Sequence, residues 1–275
     1  MARWNIRRAL ETATLLRERW PARWASLSAD LKLDDDELAQ WSSAAETMTT
    51  GFDPGTGLFE QFAGFNQLEE IDLSKYSGRS VPMDVILGRE RISRSQVVKQ
   101  ADVVALLGLL PEEFPGEARG QNFSHYEPRC SHGSSLSRAM HGLVAARLGL
   151  FDMALRYFRQ TVAIDLGDAH VASDGGIHIA ALGGVWMIAV QGFAGLSFTR
   201  DGPVLDPRLP PESRSLAFRF QWRGRSIGVR IAQNGSIEAA LDEGDSIPLV
   251  IGGRTRELRA GRALHVSGRT SGPAN

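Results

Sequence analysis

Near residue 200 the apolar residues of this chain change their repeat from helical spacing to strict alternation, and one element type cannot satisfy both periods. Ahead of the change Ile6, Leu10 and Ala13 recur at helical spacing, as do Val97, Ala101 and Val104, then Met140, Leu143 and Val144, then Phe151, Leu155, Phe158 and Val162. The Asp34-Asp35-Asp36 run before Glu37 is a start signal and Gly149 after Leu148 a stop signal, so the helices are short and joined by turns. Beyond the change, Leu216, Phe218, Phe220 and Trp222 alternate with Ala217, Arg219 and Gln221. Arg223-Gly224-Arg225 turns the chain, Ile227, Val229 and Ile231 alternate again, and the pair reads as a hairpin. Ile237 to Leu241, Ile247 to Ile251 and Leu264 to Val266 add short strands, with Pro203, Pro207, Pro210 and Pro211 marking a linker and first turns. The expected fold is mainly α followed by β, with helices over 1–198 and a small antiparallel, sandwich-like β domain over 199–275.

Composition narrows the partners. The 275 residues carry 31 basic and 32 acidic side chains, a net charge of −1, so no global field draws the chain to nucleic acid or to an anionic membrane. No stretch is long and apolar enough to span a bilayer, and no signal peptide is recognisable. The single cysteine, Cys130, rules out an internal disulfide framework and any multi-cysteine metal site, which fits a cytoplasmic location and reads as a small buried thiol.

Any anion site must therefore be local, and the run from Tyr126 to Ser137 is where the sequence concentrates polar chemistry. It holds Glu127, His132 and several serines just ahead of an amphipathic helix. Ser134 and Ser135 can donate hydroxyl hydrogen bonds at a helix start, where backbone N–H groups lack partners and the dipole favours negative charge. Ser137 reads as a helix-cap hydroxyl. His125, His141, His170 and His265 lack such context and read as surface or packing residues. Gly183-Gly184 lacks the rest of a dinucleotide fingerprint and the strand that should precede it.

Four pieces in order carry a resemblance: Lys99-Gln100-Ala101-Asp102-Val103; Tyr126-Glu127-Pro128 with Ser131-His132-Gly133-Ser134-Ser135-Leu136-Ser137; Gly175-Gly176-Ile177-His178; and Gly183-Gly184-Val185-Trp186. Together they resemble glycoside hydrolase family 65, which includes inverting phosphorylases of maltose, trehalose, kojibiose and nigerose and acid trehalase-like hydrolases. The likeness runs from about Trp4 to the end and takes in Gly57-Leu58-Phe59-Glu60-Gln61-Phe62. It implies a partial (α/α)6 toroid followed by the small β domain. It also implies that Lys99 and Gln100 hold hydroxyls of a glucosyl unit, that Glu127 is a further sugar contact, and that Ser134, Ser135 and His178 bind phosphate. Lysine and amide groups suit sugar hydroxyls, and serines with an imidazole suit a phosphate dianion.

The implied partners are an α-linked glucose disaccharide and inorganic phosphate as co-substrate, with no metal or organic cofactor, and either a homodimer or a missing amino-terminal half. In the family the general acid is a glutamate of an Asp-Glu-Tyr motif upstream of the helix that Trp4 to Ala9 resembles, so this chain is expected to lack it. No motif supports Glu60, Glu69, Glu70 or Glu127 in its place. Cys130 stands where the family usually has threonine. Alternatives from the same residues are a trehalase-like hydrolase and a non-catalytic sugar-binding fragment. A toroid short of several helices would expose apolar stripes, so low solubility is expected of the chain alone.

Overall fold

The computed structural model describes residues 1–79, 81–114, 116–166 and 176–268, and the chain divides into two compact units, Met1–Ala63 and Gly64–Asn275. Gly175 and His170 lie outside the described residues.

In the first unit α1 (Ala2–Arg19) packs on α2 (Pro21–Leu31) and α3 (Asp35–Thr47). The predicted start of α3 is real: the Asp34 side chain accepts a 2.8 Å bond from the Glu37 N–H, capping one of the orphan donors of the first turn. A two-stranded hairpin follows, β1 (Phe52–Asp53) with β2 (Leu58–Phe59), its turn tied by the Asp53 carboxylate, which accepts from Gly55 N–H at 2.9 Å and the Thr56 hydroxyl at 2.8 Å.

The second unit is helical first and β last. Two short helices, α4 (Met83–Leu87) and α5 (Arg89–Ser93), precede α6 (Asp102–Leu109), α7 (Gly116–Tyr126), α8 (Ser137–Arg147), α9 (Phe151–Leu166) and α10 (Ile179–Met187). Gly149, with φ of 79°, stops α8 as expected: its N–H and that of Leu150 return to the Ala146 and Ala145 carbonyls. Arg147 at the end of α8 donates to the Gly108 carbonyl of α6 and to Gln191 at 3.5 Å, and burial pushes its guanidinium down to about 10.

Helices α8 and α10 meet through small residues. A Cβ on Gly184 would stand 2.3 Å from Ala139 Cβ, one on Gly142 2.7 Å from Ile188 Cδ1, and one on Gly192 2.9 Å from Ala146 Cβ. The partners ascend together along the two segments, so α8 and α10 run parallel, backbone close to backbone. The Gly183-Gly184 pair is thus a packing device through its second member; among the described residues nothing lies within 4 Å of a Cβ built on Gly183.

A π-helical stretch, Ile188–Phe193, continues α10 and leads into two four-stranded sheets. One is ordered β10 (Leu264–Val266), β7 (Ile237–Leu241), β6 (Arg225–Ala232), β5 (Ser215–Trp222); the other is β3 (Ser197–Phe198), β4 (Pro203–Leu205), β8 (Ile247–Ile251), β9 (Arg254–Leu258). The predicted hairpin holds its register, with Phe220 opposite Ile227 and Phe218 opposite Val229. Arg223 and Gly224 both have positive φ, 50° and 76°, as a two-residue hairpin turn of the type matched to strand twist requires. Two details differ from the sequence reading. Pro203 opens a strand rather than a linker, at the first position, where a missing N–H is tolerated. And β4 pairs with β8 in parallel, so the sheet is mixed rather than wholly antiparallel.

Between the sheets Phe220, Ile227, Ile231, Ala239, Leu249 and Leu258 form one core, joined by Val190, Ala194 and Leu196 from the helical side. On α10, by contrast, Ile179, Leu182 and Trp186 share a face and remain 77%, 37% and 44% exposed. The chain is expected to self-associate through such stripes: sedimentation velocity should show mass rising with concentration, and Ile179→Gln with Trp186→Gln should reduce it. A parent chain that stays monomeric over a wide concentration range would refute this. No helix among the described residues is long and apolar enough to cross a membrane.

Candidate functional site

Two separated segments are brought side by side by a short parallel bridge, Val98 to Cys130, in which Val98 N–H donates to the Arg129 carbonyl at 2.9 Å and Ser131 N–H to the Val98 carbonyl at 2.8 Å. The bridge places Lys99 and Gln100, both exposed, at the serine turn. The stem of Lys99 lies along Gly133: a Cβ there would be 3.1 Å from Lys99 Cγ and 3.6 Å from its Cε. Glycine is what leaves room for that lysine beside Ser134.

Ser134 and Ser135 are half-buried in the turn ahead of α8, whose first turn has no side-chain cap. The Ser134 hydroxyl accepts from Leu136 N–H at 3.3 Å, while the buried Ser137 hydroxyl donates to the Ser134 carbonyl at 2.8 Å. Ser137 is therefore a brace of the turn, not a group offered to a ligand. Arg79 donates to the Ser131 carbonyl and Arg138 to the His132 carbonyl at 3.4 Å, so two guanidinium groups border the turn. Neither arginine had a sequence signal beyond its charge.

His178 stands at the N-cap position of α10, and its side chain makes no bond to the helix start. Its backbone N–H donates to Asp165 Oδ2 at 2.9 Å and its Nδ1 to Asp165 Oδ1 at 2.8 Å, and the His178 bond holds the Asp165 carboxyl below the usual carboxylate range. With Nδ1 so engaged, Nε2 is the nitrogen left to meet a ligand. Asp165 lies in the last turn of α9, and sequence reasoning missed it, because its partner lies thirteen residues away in the chain. Since α8 and α10 run parallel, and α9 packs on both, the serine turn and His178 lie beyond the same ends of neighbouring helices, each about two turns or less from the Gly184–Ala139 crossing.

Glu127 is half-buried. Its Oε1 accepts from the Tyr157 hydroxyl at 2.8 Å, with the Arg156 guanidinium 3.9 Å away. Behind Tyr157 stands His132, Nε2 3.1 Å from the phenol oxygen and Nδ1 3.1 Å from Ser137 Oγ. Burial, assisted by His141 and nearby arginines, pushes His132 down to about 3, and burial pushes the Cys130 thiol up to about 11 and raises the Tyr157 phenol as well. His132 is also held in the left-handed backbone region at φ 51°, a conformation that a non-glycine residue keeps only where its surroundings impose it.

A cleft of about 630 Å³ opens at the β sandwich, lined among others by Arg208, Gln233, Arg254 and Arg256, but none of the six candidate residues lines it. The candidate site is the set of polar groups formed by Lys99, Gln100, Glu127, the serine turn and His178.

The chain is a helical domain running into a small β sandwich, with lysine, amide and carboxylate groups near a serine turn, and comparison with known proteins gives its family. Residues 1–187 match the glycosyl hydrolase family 65 central catalytic domain and residues 196–258 the glycosyl hydrolase family 65 C-terminal domain; the chain belongs to this family. It is 31% identical over 268 residues to a kojibiose phosphorylase of Halothermothrix orenii, covering 96% of this chain and 34% of that protein. It is 32% identical over 267 residues to an alpha,alpha-trehalose phosphorylase of Geobacillus stearothermophilus, covering 97% of this chain and 35% of that protein. Among solved structures, a putative kojibiose phosphorylase from human microbiome superposes with a TM-score of 0.79 at 26% identity, over 90% of this chain and 36% of that one. The chain thus spans about a third of the length of the curated relatives it matches.

Proposed function

We propose that this chain forms the carboxy-terminal part of an inverting α-glucoside phosphorylase, with residues 1–198 contributing to an (α/α)6 toroid and 199–275 forming the β domain behind it. Lys99, Gln100 and Glu127 take the hydroxyls of the glucosyl unit; Ser134, Ser135 and His178 take phosphate. The observation that carries the reading is that parallel packing of α8 and α10 brings the serine turn and His178 to the same end of the helix pair, beside a lysine lying along Gly133. Related proteins named as kojibiose and trehalose phosphorylases support it.

In this reading a phosphate oxygen attacks the anomeric carbon from the face opposite the leaving sugar, the glycosidic C–O bond breaks, and a general acid protonates the departing oxygen. The product is β-glucose 1-phosphate. One carboxylic acid suffices because phosphate is itself the nucleophile, and that acid is supplied by a part of the enzyme other than these 275 residues, which contain no Asp-Glu-Tyr sequence.

The test uses this chain completed with a segment that supplies the acid. Incubated with α-linked glucobioses, it should release β-glucose 1-phosphate only when phosphate is present; equal release of glucose without phosphate would establish a hydrolase instead, and binding without turnover a sugar-binding protein. Asp165→Asn should weaken phosphate roughly tenfold, the worth of one charge-assisted hydrogen bond, by removing the charge behind His178. Glucose affinity should not change. Isothermal titration with each ligand measures both, and an unchanged phosphate affinity would remove His178 from the phosphate site.

A further inference from the structure

The hydrogen-bond network behind Glu127 leaves three donor atoms facing one another with no proton between two of them. The Tyr157 hydroxyl gives its proton to Glu127, so at 3.1 Å from His132 Nε2 it can only accept, and Nε2 must carry the hydrogen. His132 Nδ1 is then the bare nitrogen. Ser137 cannot protonate it, because the Ser137 hydroxyl donates to the Ser134 carbonyl. His141 is fixed in the complementary way: Nδ1 lies 2.8 Å from the Ser137 carbonyl, which accepts only, so Nδ1 carries the hydrogen and Nε2 is bare. Among the described residues that Nε2 has no hydrogen-bond partner, on a histidine that is 0% exposed. An orphaned acceptor in so buried a place calls for an occupant.

The third donor is Cys130, buried, its Sγ 3.6 Å from His132 Nδ1. One donor atom from each of Cys130, His132 and His141 lies within 4.8 Å of the other two. With zinc–sulfur and zinc–nitrogen bonds of about 2.3 Å and 2.0–2.1 Å, the sulfur-to-nitrogen edge of a tetrahedral site is about 3.5 Å, close to the separation found. The outer contacts also match what such a site requires. Both imidazoles already donate their far N–H, one to a backbone carbonyl and the other through Tyr157 to a carboxylate, which fixes tautomer and ring orientation.

We propose that Cys130, His132 and His141 bind one thiophilic divalent cation of the zinc class. Binding replaces the thiol proton, which leaves to solvent, with the metal; a water completes four-coordination. The cation joins the serine turn to α8, and because it holds His132 with Nε2–H toward Tyr157, it also steadies the carboxylate of Glu127. It is a positioning element and touches neither sugar nor phosphate.

Cobalt(II) is the probe. Titrated into the chelator-stripped chain, it should bind one equivalent, develop intense visible bands of a tetrahedral site and a near-ultraviolet thiolate-to-cobalt charge-transfer band, and lose all of them when zinc is added. Cys130 is the only cysteine in the sequence, so the charge-transfer band has no other source within the chain. Cys130→Ser should abolish that band and His141→Gln should weaken cobalt binding at least tenfold. Alkylating Cys130 in the parent chain should also abolish the band, a control that does not depend on a variant folding. Cobalt binding without charge transfer, no binding at all, or a zinc-induced rise in melting temperature equal in parent and Cys130→Ser would overturn the proposal.

Discussion

Gly195→Ala is expected to cost the fold about 3 kcal/mol or more, a large part of the about 5–15 kcal/mol typical of a whole domain. Two causes act together. Gly195 has φ of 62°, left-handed territory that costs alanine about 1 kcal/mol or more. Space is also denied, since a Cβ there would stand 2.2 Å from the Asp206 carbonyl oxygen and 2.7 Å from its carbon. Those atoms are backbone and cannot rotate aside. They belong to the crossing at which Arg208 N–H reaches the Phe193 carbonyl at 2.8 Å and the helical stretch gives way to β3. Denaturant titration followed by tryptophan fluorescence measures the loss; a midpoint equal to the parent's would show that the crossing is soft.

Gly184→Ala should produce the second large loss, about 2 kcal/mol net. The new methyl would sit 2.3 Å from Ala139 Cβ, and neither Cβ has a torsion that relieves the contact. Overpacking of that kind costs about 1–3 kcal/mol or more, against a helix-propensity gain of about 1 kcal/mol for replacing glycine. Gly183→Ala is the internal control: on the same helix with open space around it, it should stabilise by about 0.5–1 kcal/mol. Since pushing α10 away from α8 also separates His178 from the serine turn, Gly184→Ala should weaken phosphate binding while Gly183→Ala leaves it unchanged. Opposite signs in the two melting curves, with phosphate affinity following only the first, would support close packing as the origin; equal shifts would reject it.

What the sequence made legible is local. The period change, the Arg223-Gly224 hairpin, the Asp34 cap and the Gly149 stop each depend on residues within a few positions of one another, and each is found where it was expected. The β4–β8 pair was not legible, because Val204 meets Val250 only after three other strands have formed between them, and parallel pairing leaves no turn to read. Nor was the division after Ala63, because the nearby Gly51, Pro54, Gly55, Gly57 and Gly64 surround the β1–β2 hairpin and do not by themselves mark a boundary.

The candidate site divides the same way. Residue types picked out Ser134 and Ser135, and the family resemblance Glu127 and His178, but neither reached Asp165 or Tyr157, whose importance lies in partners 13 and 30 positions away. His141 was read as a packing residue, and its ring does pack, at 5.8 Å from Phe123 and 4.7 Å from His132. Its bare nitrogen is visible only once the Ser137 carbonyl is seen to claim the other. Cys130 was weighed as a lone thiol for the same reason: one cysteine suggests no metal until folding sets two imidazoles beside it.

The segment that follows α10 constrains how members of this family can be recombined. Val190, Ala194 and Leu196 lie inside the sandwich core, although all three precede the first residue of the β domain as periodicity divides the chain. A gene spliced at residue 198 would hand the sheets to a new host with part of their interior left behind in the old one. Exchanges between family members that keep the β part sound should carry Ile188 onward as one inherited block.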